Sequence, residues 1–186
     1  LKVSIKPKSA DVFMIAVPTP FKNKHEPDLS YIRSAVKDIS HVIEKGNMII
    51  LESTVPVGTT EKIKKWLLEE KPDLSFPSNE KDINTSDINI AHCPERVLPG
   101  DVLNELVNND RIIGGLTNHC SERAKIFYQE FIKGKCIITD SRTAELSKLV
   151  ENSYRDVNIA FANELSLISD KLDINVWELI KLANHH

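Results

Sequence analysis

The sequence predicts an α/β fold: a doubly wound, mostly parallel sheet followed by a long helix. Three observations carry this. Nearly continuous apolar runs at Val12–Val17, Met48–Leu51 and Ile88–His92 read as strands covered on both faces. Segments with apolar residues at three- and four-residue spacing separate them, as amphipathic helices would. From Ser141 onward no strand-like run recurs, and Thr143–Leu172 keeps helical spacing almost throughout.

The elements follow in order. Lys2–Ile5 alternates like a strand. Val12–Val17 (VFMIAV) is the next, ending at Pro18-Thr19-Pro20. A helix over about Leu29–Lys45 places Ile32, Val36, Ile39 and Ile43 on one side, and Gly46 stops it. Met48–Leu51 runs into Glu52-Ser53-Thr54-Val55-Pro56-Val57-Gly58, and Thr59 opens a helix through about Glu70. Lys71–Ser86 is polar, contains Pro72 and Pro77, and reads as a surface loop and candidate insertion. Ile88–His92 is the third main strand, ending in Cys93-Pro94-Glu95-Arg96. Asp101–Asn108 reads as helix, Arg111–Gly114 as a short strand, Ser121–Lys133 as helix and Cys136–Thr139 as the last strand. Ala124, Phe127, Tyr128 and Phe131 share one side of that helix. Two helices complete the chain, Thr143–Leu172 and Val176–Ala183, joined by Asp173-Ile174-Asn175. A boundary near Asp140–Arg142 divides residues 1–140 from residues 141–186. Leu1 is not methionine, and both ends read as cuts through a longer protein.

A chain of 186 residues, 41% hydrophobic and 27% charged with net charge −3, has the make-up of an ordinary globular protein. The mildly acidic balance gives no bulk attraction for nucleic acid or anionic membrane. No apolar run approaches the roughly 18–20 residues that span a bilayer, and the first residues lack the apolar core of a signal peptide. Cys93, Cys120 and Cys136 are odd in number and lack CxxC spacing, so neither a disulfide framework nor a metal site is expected and a reducing cytoplasm is.

The strand ends point to function. In open α/β sheets ligands bind beyond the carboxyl ends of the strands. Three strands here end abruptly at polar or charged residues, which suggests one site assembled from all three. On the long helix, Lys148, Asn152 and Arg155 project from a similar, non-apolar face. Spacing alone leaves two readings of that row open: a solvated helix face, or cationic and amide groups set against an anionic ligand.

The ordered set AVPTP (Ala16–Pro20), ESTVPVGTT (Glu52–Thr60), CPERVLPG (Cys93–Gly100) and TAELSKLVENSYRDVNIAFANELS (Thr143–Ser166) resembles the nucleotide-sugar 6-dehydrogenases. The resemblance covers essentially the whole chain. It implies part of a Rossmann-like domain followed by the start of an all-α central dimerisation domain. It also implies oxidation of the C6 hydroxyl of a UDP-sugar to a carboxylate with two NAD. PERVLPG, the long-helix motif and INVWELIKLAN look most like the branch acting on UDP-N-acetyl-D-mannosamine. The UDP-glucose branch has N-P-E-F-L-x-E-G, against which Arg96 and Pro99 depart.

The resemblance also implies roles. Thr19 and Pro20 match the turn that touches the dinucleotide. Thr54 matches a threonine that positions a water near C6 and borders the cofactor, with a helix-capping hydroxyl as its structural alternative. Glu95 matches the general acid/base carboxylate, Lys148 the cation that steadies developing negative charge, and Asn152 its hydrogen-bonding partner. Arg96, Val97 and Leu98, with Lys148, Asn152 and Arg155, match substrate contacts. Arg155 and Asn163 are matched to substrate or a second subunit. A base must take up the hydroxyl proton as hydride leaves, and the resulting oxyanion needs preorganised positive charge.

No GxGxxG occurs in the chain; by the resemblance, this phosphate-binding turn would precede Leu1. A GGHC motif with the cysteine nucleophile would follow His186. The His92-Cys93 dipeptide sits in the strand-end motif instead, and Cys93 reads as a small buried hydrophobe. Cys136 reads as a strand residue and Cys120 as lying in a loop before a helix.

The leading expectation is therefore an internal portion of a cytoplasmic bacterial UDP-N-acetyl-D-mannosamine 6-dehydrogenase serving surface-polysaccharide synthesis, homodimeric through the long helix and incomplete by itself. A UDP-N-acetylglucosamine or UDP-glucose 6-dehydrogenase is the alternative within the enzyme class. A non-catalytic, helix-mediated dimerisation remnant is the alternative from another class.

Overall fold

The computed structural model describes residues 2–78, 86–97 and 100–185 and divides into two compact units, Leu1–Leu149 and Val150–His186. In the first unit a five-stranded sheet has the order β1 (Val12–Ile15), β2 (Met48–Leu51), β3 (Asn89–His92), β4 (Arg111–Gly115), β5 (Cys136–Asp140). All neighbours are parallel except β3 and β4, which pair Ala91 with Gly115 and His92 with Gly114 in antiparallel sense.

Central β2 explains why its sequence is unbroken apolar: all four residues are buried. Ile49 and Leu51 face one core with Ile32, Val36 and Ile39 of α1 (Ser30–Ser40) and Ile63 and Leu67 of α2 (Thr59–Glu70). Met48 and Ile50 face a second core with Ala91, Cys93, Ile113 and, from α4 (Asn118–Gln129), Ala124 and Tyr128. The result is helix, sheet and helix in three layers, where each fully buried aliphatic side chain contributes about 1.5–3 kcal/mol.

Several boundaries depart from expectation for local reasons. Residues 2–10 form no strand, and Val3 and Ile5 are exposed. Pro7 removes a backbone donor there, and alternation without a neighbouring strand builds nothing. α1 stops at Ser40, whose hydroxyl donates back to the Lys37 carbonyl at 2.7 Å; the chain then tightens into a turn that ends at Gly46 (φ +96°). Cys120 lies inside the first turn of α4, because Thr117 caps that helix by accepting from the Cys120 amide. β3 begins at Asn89, β4 and β5 each run one residue further than expected, and α3 spans Val102–Asn108. The described part of the 71–86 loop contains neither helix nor strand.

Gly114 marks a close approach: a Cβ there would lie 2.5 Å from the Cβ of Ala144 and from the Asp140 carbonyl oxygen. This lets the start of α5 (Ser141–Lys171) pack on β4, with Ala144 and Glu145 buried. In the second unit Asp173 turns the chain at φ +54°, and the Asn175 side chain caps α6 (Val176–Ala183) by accepting from Trp177 N at 3.0 Å and Glu178 N at 3.3 Å. Large apolar residues there, including Val157, Phe161, Leu172 and Trp177, are exposed. No helix among the described residues is long and apolar enough to cross a membrane.

His92, on β3, is completely buried, and neither ring nitrogen is hydrogen-bonded. Burial, offset in small part by the nearby Leu51 backbone, lowers its pKa to about 4. The unfolded chain therefore takes up this proton below about pH 6.5 and the folded one only near 4, so stability falls on acidification across that window. The loss amounts to roughly 3 kcal/mol. Urea titrations of this chain between pH 7 and 4 should show that slope, and His92→Leu should flatten it. An unchanged slope in the variant would assign the acid sensitivity elsewhere.

Candidate active site

Because β1, β2 and β3 run in parallel, their carboxyl ends share one edge of the sheet. The loops leaving them are laced together. The Ser53 hydroxyl accepts from Val17 N at 2.8 Å and donates to Val17 O at 2.7 Å, standing in for one more rung of the parallel ladder. The Thr19 hydroxyl donates to the Thr54 carbonyl at 2.8 Å. Three hydrogen bonds thus join the β1 and β2 ends.

Beside them lies a cavity of about 270 Å³ lined by Ala16, Val17, Glu52, Ser53, Thr54, Glu95 and Lys148. It gathers three residues singled out in the sequence, Thr54, Glu95 and Lys148, from three separate elements: the β2–α2 loop, the loop after β3, and α5. Thr19 adjoins through its bond to Thr54, and Pro20 follows in the same turn. Arg96 and Val97 are half-buried next to Glu95 but do not line the cavity, and Leu98 lies outside the described residues. Asn152 and Arg155 belong to the second unit, where Arg155 pairs with Glu151 at 3.4 Å.

The cavity holds two carboxylates and one ammonium. Oε1 of Glu95 is buried and makes no hydrogen bond among the described residues, which leaves a buried acceptor open. Glu52, the first polar residue after β2, is held from behind: Tyr128 donates to its Oε1 at 2.7 Å, and Arg111 lies 3.9 Å from the same oxygen. Burial pushes the Tyr128 phenol far up, so it stays a donor. Burial, reinforced by Glu52, likewise keeps the Cys93 thiol protonated, which suits a packing role rather than a nucleophile's.

Sequence reasoning missed Glu145. It is 1% exposed and accepts from Thr60 N at 2.7 Å, from Thr60 Oγ1 at 2.6 Å and from Gly58 N. Gly58, preceding α2 with φ +91°, has no side chain to cap the helix. A carboxylate from α5 does so instead, where helix donors are unpaired and the dipole favours negative charge. It also ties the loop bearing Thr54 to the helix bearing Lys148.

The residues present fit one end of a dinucleotide. An apolar wall of Ala16 and Val17 beside Ser53 and Thr54 suits a flat amide-bearing ring, whereas a glycine-rich pyrophosphate turn does not occur in this chain. Among the described residues, no cluster of His, Cys, Asp or Glu could hold a metal ion.

Comparison with known proteins agrees. A Campylobacter jejuni UDP-N-acetyl-D-mannosamine dehydrogenase is 64% identical over the whole chain, which covers 46% of that protein. An NDP-N-acetyl-D-galactosaminuronic acid dehydrogenase of Ralstonia nicotianae is 58% identical, with 44% of its length covered. The solved UDP-N-acetyl-mannosamine dehydrogenase of Staphylococcus aureus superposes with a TM-score of 0.84 at 48% identity, over all of this chain and 43% of that one. The chain thus spans less than half the length of these relatives. Residues 1–132 match the NAD-binding-domain model of the UDP-glucose/GDP-mannose dehydrogenases, and residues 142–186 match the central-domain model. The chain belongs to the UDP-glucose/GDP-mannose dehydrogenase family and carries its NAD-binding fold.

Proposed function

We propose that this chain is part of an NAD-dependent dehydrogenase that oxidises C6 of UDP-N-acetyl-D-mannosamine to the carboxylate, giving UDP-N-acetyl-D-mannosaminuronate for bacterial surface polysaccharide. Residues 1–140 belong to its NAD-binding domain and residues 141–186 open the central domain. The supporting observation is the meeting of Glu95, Lys148 and Thr54 around one cavity at the carboxyl edge of the sheet.

In this reading Glu95 takes the C6 hydroxyl proton on its unpartnered buried oxygen. Lys148 faces the oxygen that becomes negative and stabilises it. Thr54 orders a water for the second oxidation. Thr19, Pro20 and Thr54 hold the dinucleotide, which supplies the hydride acceptor when bound. Arg96, Val97, Leu98, Asn152 and Arg155 contact the UDP-sugar. Cytoplasmic location and a homodimer through α5, whose apolar residues Val157 and Phe161 are exposed, complete the proposal.

A sister N-acetylhexosamine nucleotide is the second reading, favoured by the name of the Ralstonia relative at 58% identity. A substrate panel decides. The full-length protein carrying this segment should reduce NAD with UDP-N-acetyl-D-mannosamine. Absence of NADH with that sugar, and its appearance with UDP-N-acetylglucosamine, UDP-N-acetylgalactosamine or UDP-glucose, would overturn the substrate assignment.

A further inference from the structure

Behind the cavity a buried arginine links two of the strand ends. β4 is the strand that runs against its neighbour β3, so its first residue, Arg111, arrives at the edge where β1, β2 and β3 finish. Continuing the register that pairs His92 with Gly114 and Ala91 with Gly115 sets Arg111 level with Glu95. A parallel β4 would have put its last residue there instead.

The Arg111 side chain is 5% exposed. Its Nη1 donates to the Pro94 carbonyl at 3.3 Å, its guanidinium lies 5.1 Å above the Tyr128 ring, and Glu52 Oε1 is 3.9 Å away. Tyr128 donates to that same Glu52 oxygen at 2.7 Å. One cation therefore grips the β3 loop through Pro94 and the β2 end through Glu52, while an aromatic ring fixes its plane. The Pro94 carbonyl belongs to the peptide joining Pro94 to Glu95. Holding it fixes the plane from which the Glu95 side chain leaves. Oε1 of Glu95 has no hydrogen bond among the described residues, so the backbone, rather than a partner of its own, sets the place of that oxygen.

We infer that Arg111, oriented by Tyr128 and Glu52, is the positioning residue for Glu95. This rests on the proposed role of Glu95 as the base, and the test separates the two. Arg111→Lys keeps the charge but loses the planar fork and the stacking; Tyr128→Phe keeps the ring but frees Glu52.

The first readout needs no turnover: the side-chain carboxyl ¹³C resonance of Glu95 in this chain, assigned through Glu95→Gln, with isoleucine methyls reporting core integrity. In Arg111→Lys the Glu95 signal should move toward that of a freely rotating glutamate while the Ile49 and Ile50 methyls stay in place. The second readout is steady-state kinetics of the full-length protein. There kcat should fall about tenfold or more, as loss of alignment does, with KM within about twofold. If Arg111→Lys fails to fold, Tyr128→Phe decides in the same two readouts, with smaller changes in the same direction.

An intact core with an unmoved Glu95 signal in the deciding variant overturns the inference. So does an unchanged kcat in an active parent. A moved Glu95 signal in a parent without any dehydrogenase activity upholds the positioning role and refutes the assignment of Glu95 as the base.

Discussion

Glu95→Gln in the full-length protein is expected to lower kcat by about 10²–10⁴-fold, the usual contribution of a positioned general base, with KM changed little. Glutamine matches glutamate in size and reach, so the loop after β3 keeps its packing. Arg111 still holds the Pro94 carbonyl, since that bond is made by backbone. What disappears is the capacity to accept and keep a proton on an oxygen that is buried and otherwise unbonded. A lowered kcat at constant KM marks an interaction made in the transition state rather than in the bound ground state. A variant that keeps nearly full turnover would remove Glu95 from the chemistry.

Glu145→Ala should have the largest effect on stability. Its carboxylate answers three donors at the start of α2, namely Gly58 N, Thr60 N and Thr60 Oγ1, within a site that is 1% exposed at Glu145 and fully buried at Thr60. Removal strands these donors away from water and takes a negative charge from a helix amino terminus. The expected cost is about 3–5 kcal/mol, seen as a thermal midpoint lowered by roughly 10 °C. Glu145→Gln, which keeps the volume and one acceptor, should lose about half as much. Equal midpoints for parent and Glu145→Ala would mean that the clamp contributes nothing net. Lys148 lies one turn along α5, so Glu145→Gln is also the milder way to ask whether this clamp holds the two cavity walls in register.

Elements whose signals are local were legible in the chain. α2 and α6 span the residues the sequence reading assigned to them, and β2 was marked by four consecutive apolar residues in the middle of a sheet. The failures are equally physical. Lys2–Ile5 has the alternation of a strand, but no strand among the described residues pairs with it. α1 ended early because a serine hydroxyl competes for the helix carbonyl, which apolar periodicity does not register.

At the site, Thr54, Glu95 and Lys148 could be named because each ends a strand or sits in a motif of the resemblance. Glu145 shares the motif of Lys148, but its capping role could not be read there, since its partners stand 85 and 87 residues earlier. Nor could the Glu52–Tyr128 bond, which spans 76 residues, or Arg111, whose place depends on one strand of the sheet being reversed. Glu52 gave the one faint sign, as a carboxylate directly after a buried apolar run.

The central claim is that Glu95, Lys148 and Thr54 surround a single sugar carbon. The slow Glu95→Gln variant of the full-length protein, crystallised with UDP-N-acetyl-D-mannosamine, tests it most directly. The C6 oxygen should lie within about 3.5 Å of both the residue 95 side chain and Lys148 Nζ, with Thr54 bordering the same carbon. A sugar bound with its C6 turned away from these groups, or seated in a different cavity, would contradict the account.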